Sequence, residues 1–277
     1  MLTDILINVS PANEADPAVN CGLTLAKSFG AHVTGAVFGI EPVVPVSYFG
    51  AIPGEIMVDL RNAAEQTARE GAAQFTKAAQ AAGVEAEARP IVSSVDGALA
   101  AFARLTRLHD LTILSQPNPD RLGGENEFLE AALFDSGRAV LVIPYIQRKP
   151  IELNRILIAW DGGRAATRAI AEARPLLARA KKVEVLVVET GKPDPNAVPG
   201  ADLAKHLARH KLKVELRRVL APSVSEIDET ILNAVSDDGI DLVVMGGYGH
   251  SRMREFVLGG VTRSIIQSMT APVLMAH

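Results

Sequence analysis

Short runs of branched apolar residues, each closed by a turn residue, recur along the chain and alternate with longer stretches in which alanine and leucine return every three or four positions. The short runs are too uniformly apolar for half-exposed strands and read as strands of parallel sheets covered on both faces; the longer stretches read as the covering helices. Strands are predicted over residues 4–9, 32–38, 85–91, 111–115 and 139–143, and again over 155–160, 183–189, 213–219, 242–246 and 273–276. Helices are predicted over about 16–29, 56–82, 164–180, 200–210 and 261–269. Two more are entered through Ser93 with Ser94 and through Ser223 with Ser225, whose hydroxyls suit N-caps.

The two series are one plan written twice, because Asp4-Ile5-Leu6-Ile7-Asn8-Val9 returns as Arg155-Ile156-Leu157-Ile158-Ala159-Trp160. The polar link at 146–153, with Pro150, separates a domain of residues 1–147 from one of residues 152–277. Strand and helix alternate throughout, so the expected class is α/β, with two tandem doubly wound parallel sheets of five strands each.

Candidate chemistry concentrates after the fourth strand of the second half. There Met245-Gly246-Gly247-Tyr248-Gly249-His250-Ser251 leads, after a basic and apolar run, to Leu258-Gly259-Gly260-Val261-Thr262. Glycines at a strand end, in a turn and at the mouth of a helix let several backbone N–H groups converge on one point, and the helix start favours an anion. Glycine at such turns also serves purely steric ends, and that alternative stands beside the phosphate one. The first strand of the same half ends in Ala159-Trp160-Asp161-Gly162-Gly163. Asp161 is placed either to accept hydrogen bonds from an amine or a sugar hydroxyl, or to cap the helix that begins near Arg164. Trp160 is a candidate for stacking on a base or for packing at the strand end, and His250, Arg252 and Arg254 are candidates for phosphate contacts or for solvated loop positions.

This spacing, Gly-x2-Gly-x9-Gly behind a strand, together with the strand-Asp-Gly corner, resembles the universal stress protein family. The resemblance implies an adenine nucleotide alpha hydrolase-like sheet of order 3-2-1-4-5, with ligand at the switch point outside the ends of strands 1 and 4. Carried over position by position, it places Ala159, Asp161 and Val188 on the base and ribose side and Met245, Gly246, Tyr248 and Gly249 in the loop, with Ser251 as a hydroxyl donor. Gly259, Gly260, Val261 and Thr262 then face the phosphates. The implied ligand is ATP, or ADP or AMP, with Mg²⁺ as a possible companion. Family members usually carry Ser or Thr after the third glycine; this chain has Gly260. The first half departs further, with Ser10 in the place of Asp161 and Ser115-Gln116-Pro117-Asn118-Pro119 in place of the loop. Proline removes the N–H donors a phosphate needs, so that half is expected to be a degenerate, nucleotide-free domain.

The chain has 277 residues, 48% hydrophobic and 22% charged, with a formal net charge of −4, which suits a globular protein and argues against a nucleic-acid surface. No apolar stretch is long enough to span a membrane and no basic leader precedes the first strand, so a cytoplasmic protein is expected. The lone Cys21 reads as a buried, inert thiol. No Walker A loop, dinucleotide fingerprint or nucleophile elbow occurs, and the reading is one of binding before catalysis. A slow Mg²⁺-dependent ATPase or adenylyl-handling enzyme and a nucleotide-free dimeric scaffold are the alternatives. The apolar segment 40–57 is expected to cover a groove of its own domain or to serve a homodimer. The last strands of the two halves, 139–143 and 273–275, are expected to pair within the chain as a pseudo-dimer, satisfying edges that would otherwise be open.

Overall fold

The computed structural model describes residues 1–11, 16–42, 54–117, 125–191, 198–247 and 260–277. Most of the apolar 40–57 segment lies outside the described residues, as does the Gly123-Gly124 pair. The chain forms two compact units. One comprises Leu2–Ser115 with Pro119–Ser136; the other comprises Gly137–His277 with Met1 and Gln116–Asn118.

In the first unit the elements follow in the order β1 (Asp4–Val9), α1 (Pro17–Phe29), β2 (His32–Ile40), α2 (Gly54–Ala82), β3 (Ala86–Ser93), α3 (Val95–Leu108), β4 (Leu111–Ser115) and α4 (Glu125–Asp135). The strands pair in parallel in the order β3-β2-β1-β4. Helix α1 is set at both ends by local chemistry. The Asp16 carboxylate accepts from the Ala18 N–H, Pro17 fills the first helical position, and Gly30 ends the helix at φ 65°. Ser94 caps α3 as expected, accepting from the Gly97 N–H. Edge strand β3 carries Pro90, which is tolerated there because an edge position need not donate to a further strand.

Helix α2 lies against β2 at unusually short range. Its buried face is built from Ala64, Ala68, Gly71, Ala72, Phe75 and Ala79, and the strand beneath offers Gly35 and Gly39 on the matching face. A Cβ on Gly39 would sit 2.1 Å from the Ala64 carbonyl oxygen, and one on Gly35 would sit 2.6 Å from the Phe75 ring. Phe38, Phe102 and Phe128 close the other side as an aromatic cluster with centroids 4.9–5.9 Å apart.

The second unit begins with β5 (Val140–Ile143) and continues through β6 (Arg155–Ala159), α5 (Arg164–Leu177), β7 (Lys182–Thr190), α6 (Ala201–Arg209), β8 (Val214–Ala221), a 3₁₀ turn (Val224–Glu226), α7 (Ile227–Asp237), β9 (Leu242–Gly246), α8 (Gly260–Ser268) and β10 (Val273–Ala276). Strands β8-β7-β6-β9-β10 are parallel, which is the expected 3-2-1-4-5 order, and β5 adds antiparallel to β10 with Leu141 opposite Leu274. The pairing expected between residues 139–143 and 273–275 is therefore present, and β5 packs with the second unit although it ends the first half of the sequence. Gln116 joins it there, taking a backbone bond from its own N–H to the Ile143 carbonyl and donating its amide to the Ile266 carbonyl at 2.7 Å. The serine entry expected for α7 is different in form: Ser223 opens the 3₁₀ turn and bonds Glu226 and Ser225 side chains, and α7 starts only at Ile227. Cys21 is buried, as read from its neighbours.

The α2–β2 contact yields a direct test. Gly39→Ala places its methyl against a helix backbone that must move as a body, so a loss of roughly 1–3 kcal/mol in denaturant unfolding is expected. Gly54→Ala, where nothing lies within 4 Å of the new methyl, should change stability by no more than about 0.5 kcal/mol.

Candidate functional site

The carboxyl ends of β6 and β9 lie side by side. Their register sets Ala159 opposite Met245, so that the Asp161 corner and the Gly246 turn leave the sheet from neighbouring strands. On the other flank β7 pairs Leu186 with Ala159, and the Leu186 carbonyl also accepts the Trp160 N–H at 2.9 Å. Val188 stands two residues further along β7, on the same face as Leu186 and beyond the last paired residue of β6, half-buried. Helix α8 crosses back between the parallel strands β9 and β10, which puts its first turn, Gly260-Val261-Thr262, at the edge where β9 ends. Gly260 is exposed, Val261 half-buried and Thr262 buried.

Tyr248, Gly249, Ser251 and Gly259, together with His250, Arg252 and Arg254, lie outside the described residues. Ala159, Asp161, Val188, Met245 and Gly246 come together at adjacent strand ends, and Gly260–Thr262 open the helix that follows.

Asp161 does not cap α5. The N-cap is Gly163, which has no side-chain cap bond, and the Asp161 Oδ1 instead accepts the Gly163 N–H at 2.7 Å in a two-residue Asx turn. Gly162 between them sits at φ 75°, a conformation that a side chain would strain. The turn fixes one carboxylate oxygen and leaves Asp161 exposed, with no hydrogen bond to its second oxygen among the described residues. Trp160 lines a cavity along α5 and α6.

Gly246 has a reason of its own for lacking a side chain. A Cβ there would lie 2.5 Å from the Ala166 nitrogen and 2.9 Å from the Ala165 carbonyl carbon, because the first turn of α5 rests on the end of β9. The steric alternative is thus the observed one for the first glycine of the loop. Gly260 differs, since no atom lies within 4 Å of a Cβ built on it.

At the corresponding place in the first unit an aspartate is buried among its own hydrogen-bond donors. Asp16, 4% exposed, accepts from the Ser10 N–H at 3.0 Å, the Ala18 N–H at 3.0 Å and the Ser115 hydroxyl at 2.6 Å, and Ser115 also accepts from Ala18. Burial pushes the Asp16 carboxyl above the ordinary range, and the hydrogen bonds from Ser115, Ser10 and Ala18 only partly oppose it. Sequence reasoning passed over Asp16 as the start of a helix; the signal was its place directly before Pro17.

Two outcomes follow. Gly246→Ala should destabilise the protein by roughly 1–3 kcal/mol in denaturant unfolding with no nucleotide present, since the clash is with α5. Asp16 has its folded value raised, so its stabilising contribution is whole below the unfolded value and declines as pH rises through the folded one. The stability advantage of the wild type over Asp16→Asn should therefore shrink as pH rises above the ordinary carboxyl range of about 4; an advantage that grows would contradict this account.

Comparison with known proteins places the second half. Residues 152–277 match the model of the universal stress protein family. A universal stress protein of Synechocystis is 32% identical over 127 residues, 44% of this chain and 42% of that protein, so the matched segment spans less than half of that relative. A universal stress protein of Bacillus subtilis is 25% identical over 147 aligned residues, covering 45% of this chain and 99% of that protein. The fold is shared along nearly the whole length with the crystal structure of a universal stress protein from Archaeoglobus fulgidus, with a TM-score of 0.68 at 16% identity, covering 98% of this chain and 95% of that one. It is also shared with a functionally unknown protein of Pseudomonas aeruginosa, with a TM-score of 0.61 at 14% identity, covering 99% and 92%. The match to the universal stress protein family model is confined to residues 152–277, and the likeness over the rest of the chain is one of fold.

Proposed function

We propose that this chain is a tandem universal stress protein whose second domain holds one adenine nucleotide, ATP, and whose first domain holds none. The observation that carries the reading is the register of β6 against β9, which brings the Asp161 corner and the glycine turn to neighbouring strand ends at a topological switch point. Ala159 and Val188 offer apolar surface to the base, and the second Asp161 oxygen accepts from a sugar hydroxyl or the exocyclic amine. The loop from Gly246 through Gly249 and Ser251 to Gly259 carries the backbone to the phosphates, where the N–H groups and dipole of α8 at Gly260, Val261 and Thr262 favour negative charge. Mg²⁺, where it accompanies ATP, would neutralise part of the phosphate charge.

Among the described residues no group of three or more His, Cys, Asp and Glu side chains is gathered as a metal cage, so any metal would ride on the nucleotide. Holding the nucleotide rather than turning it over is the function this set of residues suits, as a stress-response binding protein whose state reports the nucleotide. In the first domain Asp16 and Ser115 satisfy each other, and Pro117 follows within two residues, which supports a silent crevice.

Calorimetric titration with Mg²⁺-ATP should give one equivalent per chain. Asp161→Ala should weaken binding at least tenfold with an unchanged melting profile. Gly260→Ser, entering open space, should tighten it about two- to tenfold, the worth of one added hydrogen bond. Two equivalents per chain, or affinity indifferent to Asp161, would overturn the proposal, and sustained turnover above about 1 s⁻¹ would make the protein an enzyme instead.

A further inference from the structure

The two units cover their sheets differently. In the first, the 29-residue α2 packs against α1, whereas its counterpart α6 has only nine residues and buries a single side chain, Leu207. Between α6 and α5 lies a cavity of about 480 Å³ that runs along α5 from Thr167 to Ala178. Its walls are apolar, with Trp160, Ile170, Leu177, Leu203, Leu207 and Leu212 among them.

Among the described residues the rim carries positive charge and no carboxylate lines it. The Arg174 guanidinium meets the His210 Nδ1 at 3.3 Å, so among the described residues its hydrogen-bond partner is a ring nitrogen. His206 stacks edge-on against His210 with centroids 4.8 Å apart. All three side chains are exposed and line the same cavity. An apolar chamber of this size takes an apolar body, and a guanidinium beside two imidazoles at its mouth takes an anionic head.

We propose that this cavity binds a single-headed anionic amphiphile, an alkyl chain or ring system ending in a carboxylate or phosphate. The body lies along α5 against Trp160, and the head meets Arg174, His206 and His210. The site uses no residue assigned to the nucleotide, and the inference does not depend on nucleotide binding. Helix α6, anchored by one buried leucine, is the wall that adjusts to the length of the ligand.

Trp160 is the sole tryptophan of the chain, so its emission reports this cavity directly. The full-length protein is titrated in the absence of nucleotide with decanoate, decyl phosphate and, as the uncharged match, decanol, with calorimetry alongside. At least one anion should give saturable binding tenfold or more tighter than decanol. Which anion binds better identifies the head group as carboxylate or phosphate. Arg174→Gln, at an exposed position, should lower anion affinity at least tenfold and leave decanol unchanged. Ala171→Phe, which fills the cavity from an exposed position, should abolish binding with circular dichroism and melting unaltered. Absence of saturable binding by both readouts would overturn the proposal. Decanol binding as tightly as the anions would overturn the anionic assignment, and binding that survives Ala171→Phe would overturn the location.

Discussion

The first turn of α5 rests directly on the end of β9, with backbone against backbone where Gly246 lacks a Cβ, and the candidate site takes its shape from that contact. It fixes where α5 begins, and hence where the Ala159–Gly163 corner must turn. It also compels the chain to leave β9 without a side chain in the way. A residue larger than glycine would lift the helix and separate two strand ends whose register is otherwise held by parallel ladders. The same device recurs in the first unit, where Gly39 admits α2 onto β2. Both sheets are covered closely because glycines on the strand meet alanines or bare backbone on the helix.

Much of this was legible in the residues. Buried parallel strands announce themselves as unbroken Val, Ile and Leu runs, and the observed strands fall within a few residues of the predicted ones because Gly, Pro and Asp close each run. The two-fold recurrence of the plan was legible for the same reason. Less legible was anything decided by what a residue touches across the fold. Gly246 reads as a ligand position in sequence, while its close neighbour is a helix. Asp161 reads as a helix cap or a ligand group; it does not cap α5 but closes a turn on Gly163 that no periodicity displays. Asp16 was hidden by its neighbours, since a residue before Pro17 looks like a boundary and nothing local tells that Ser115, nearly a hundred positions on, donates to it. The loop glycines at 249 and 259 are the part of the site that remains an argument from spacing.

The two units place an aspartate differently on one architecture. Each has it near the start of the first helix, beside the carboxyl ends of the first and fourth strands. In the first unit the aspartate is drawn inward, where two backbone N–H groups and a serine hydroxyl leave it little capacity for a guest. In the second it stays exposed, and among the described residues it is fixed through one oxygen. A buried carboxylate that has satisfied itself locally is a poor receptor, because a ligand must replace bonds already made. The difference traces to which loop residue carries the acid: position 16, directly before a proline-led helix, or position 161, two residues ahead of a glycine cap.

The antiparallel seam of β5 and β10 joins a strand from the middle of the chain to β10, with Val142, Leu141 and Val140 facing Val273, Leu274 and Met275. When such a seam forms between separate molecules, dilution dissolves it. Here both strands belong to one polypeptide, so each meets the other at an effective concentration set by the intervening chain, and the seam holds at any dilution of the protein. The pairing is thereby a step of folding, and copies of the two strands are made in equal number every time the chain is synthesised.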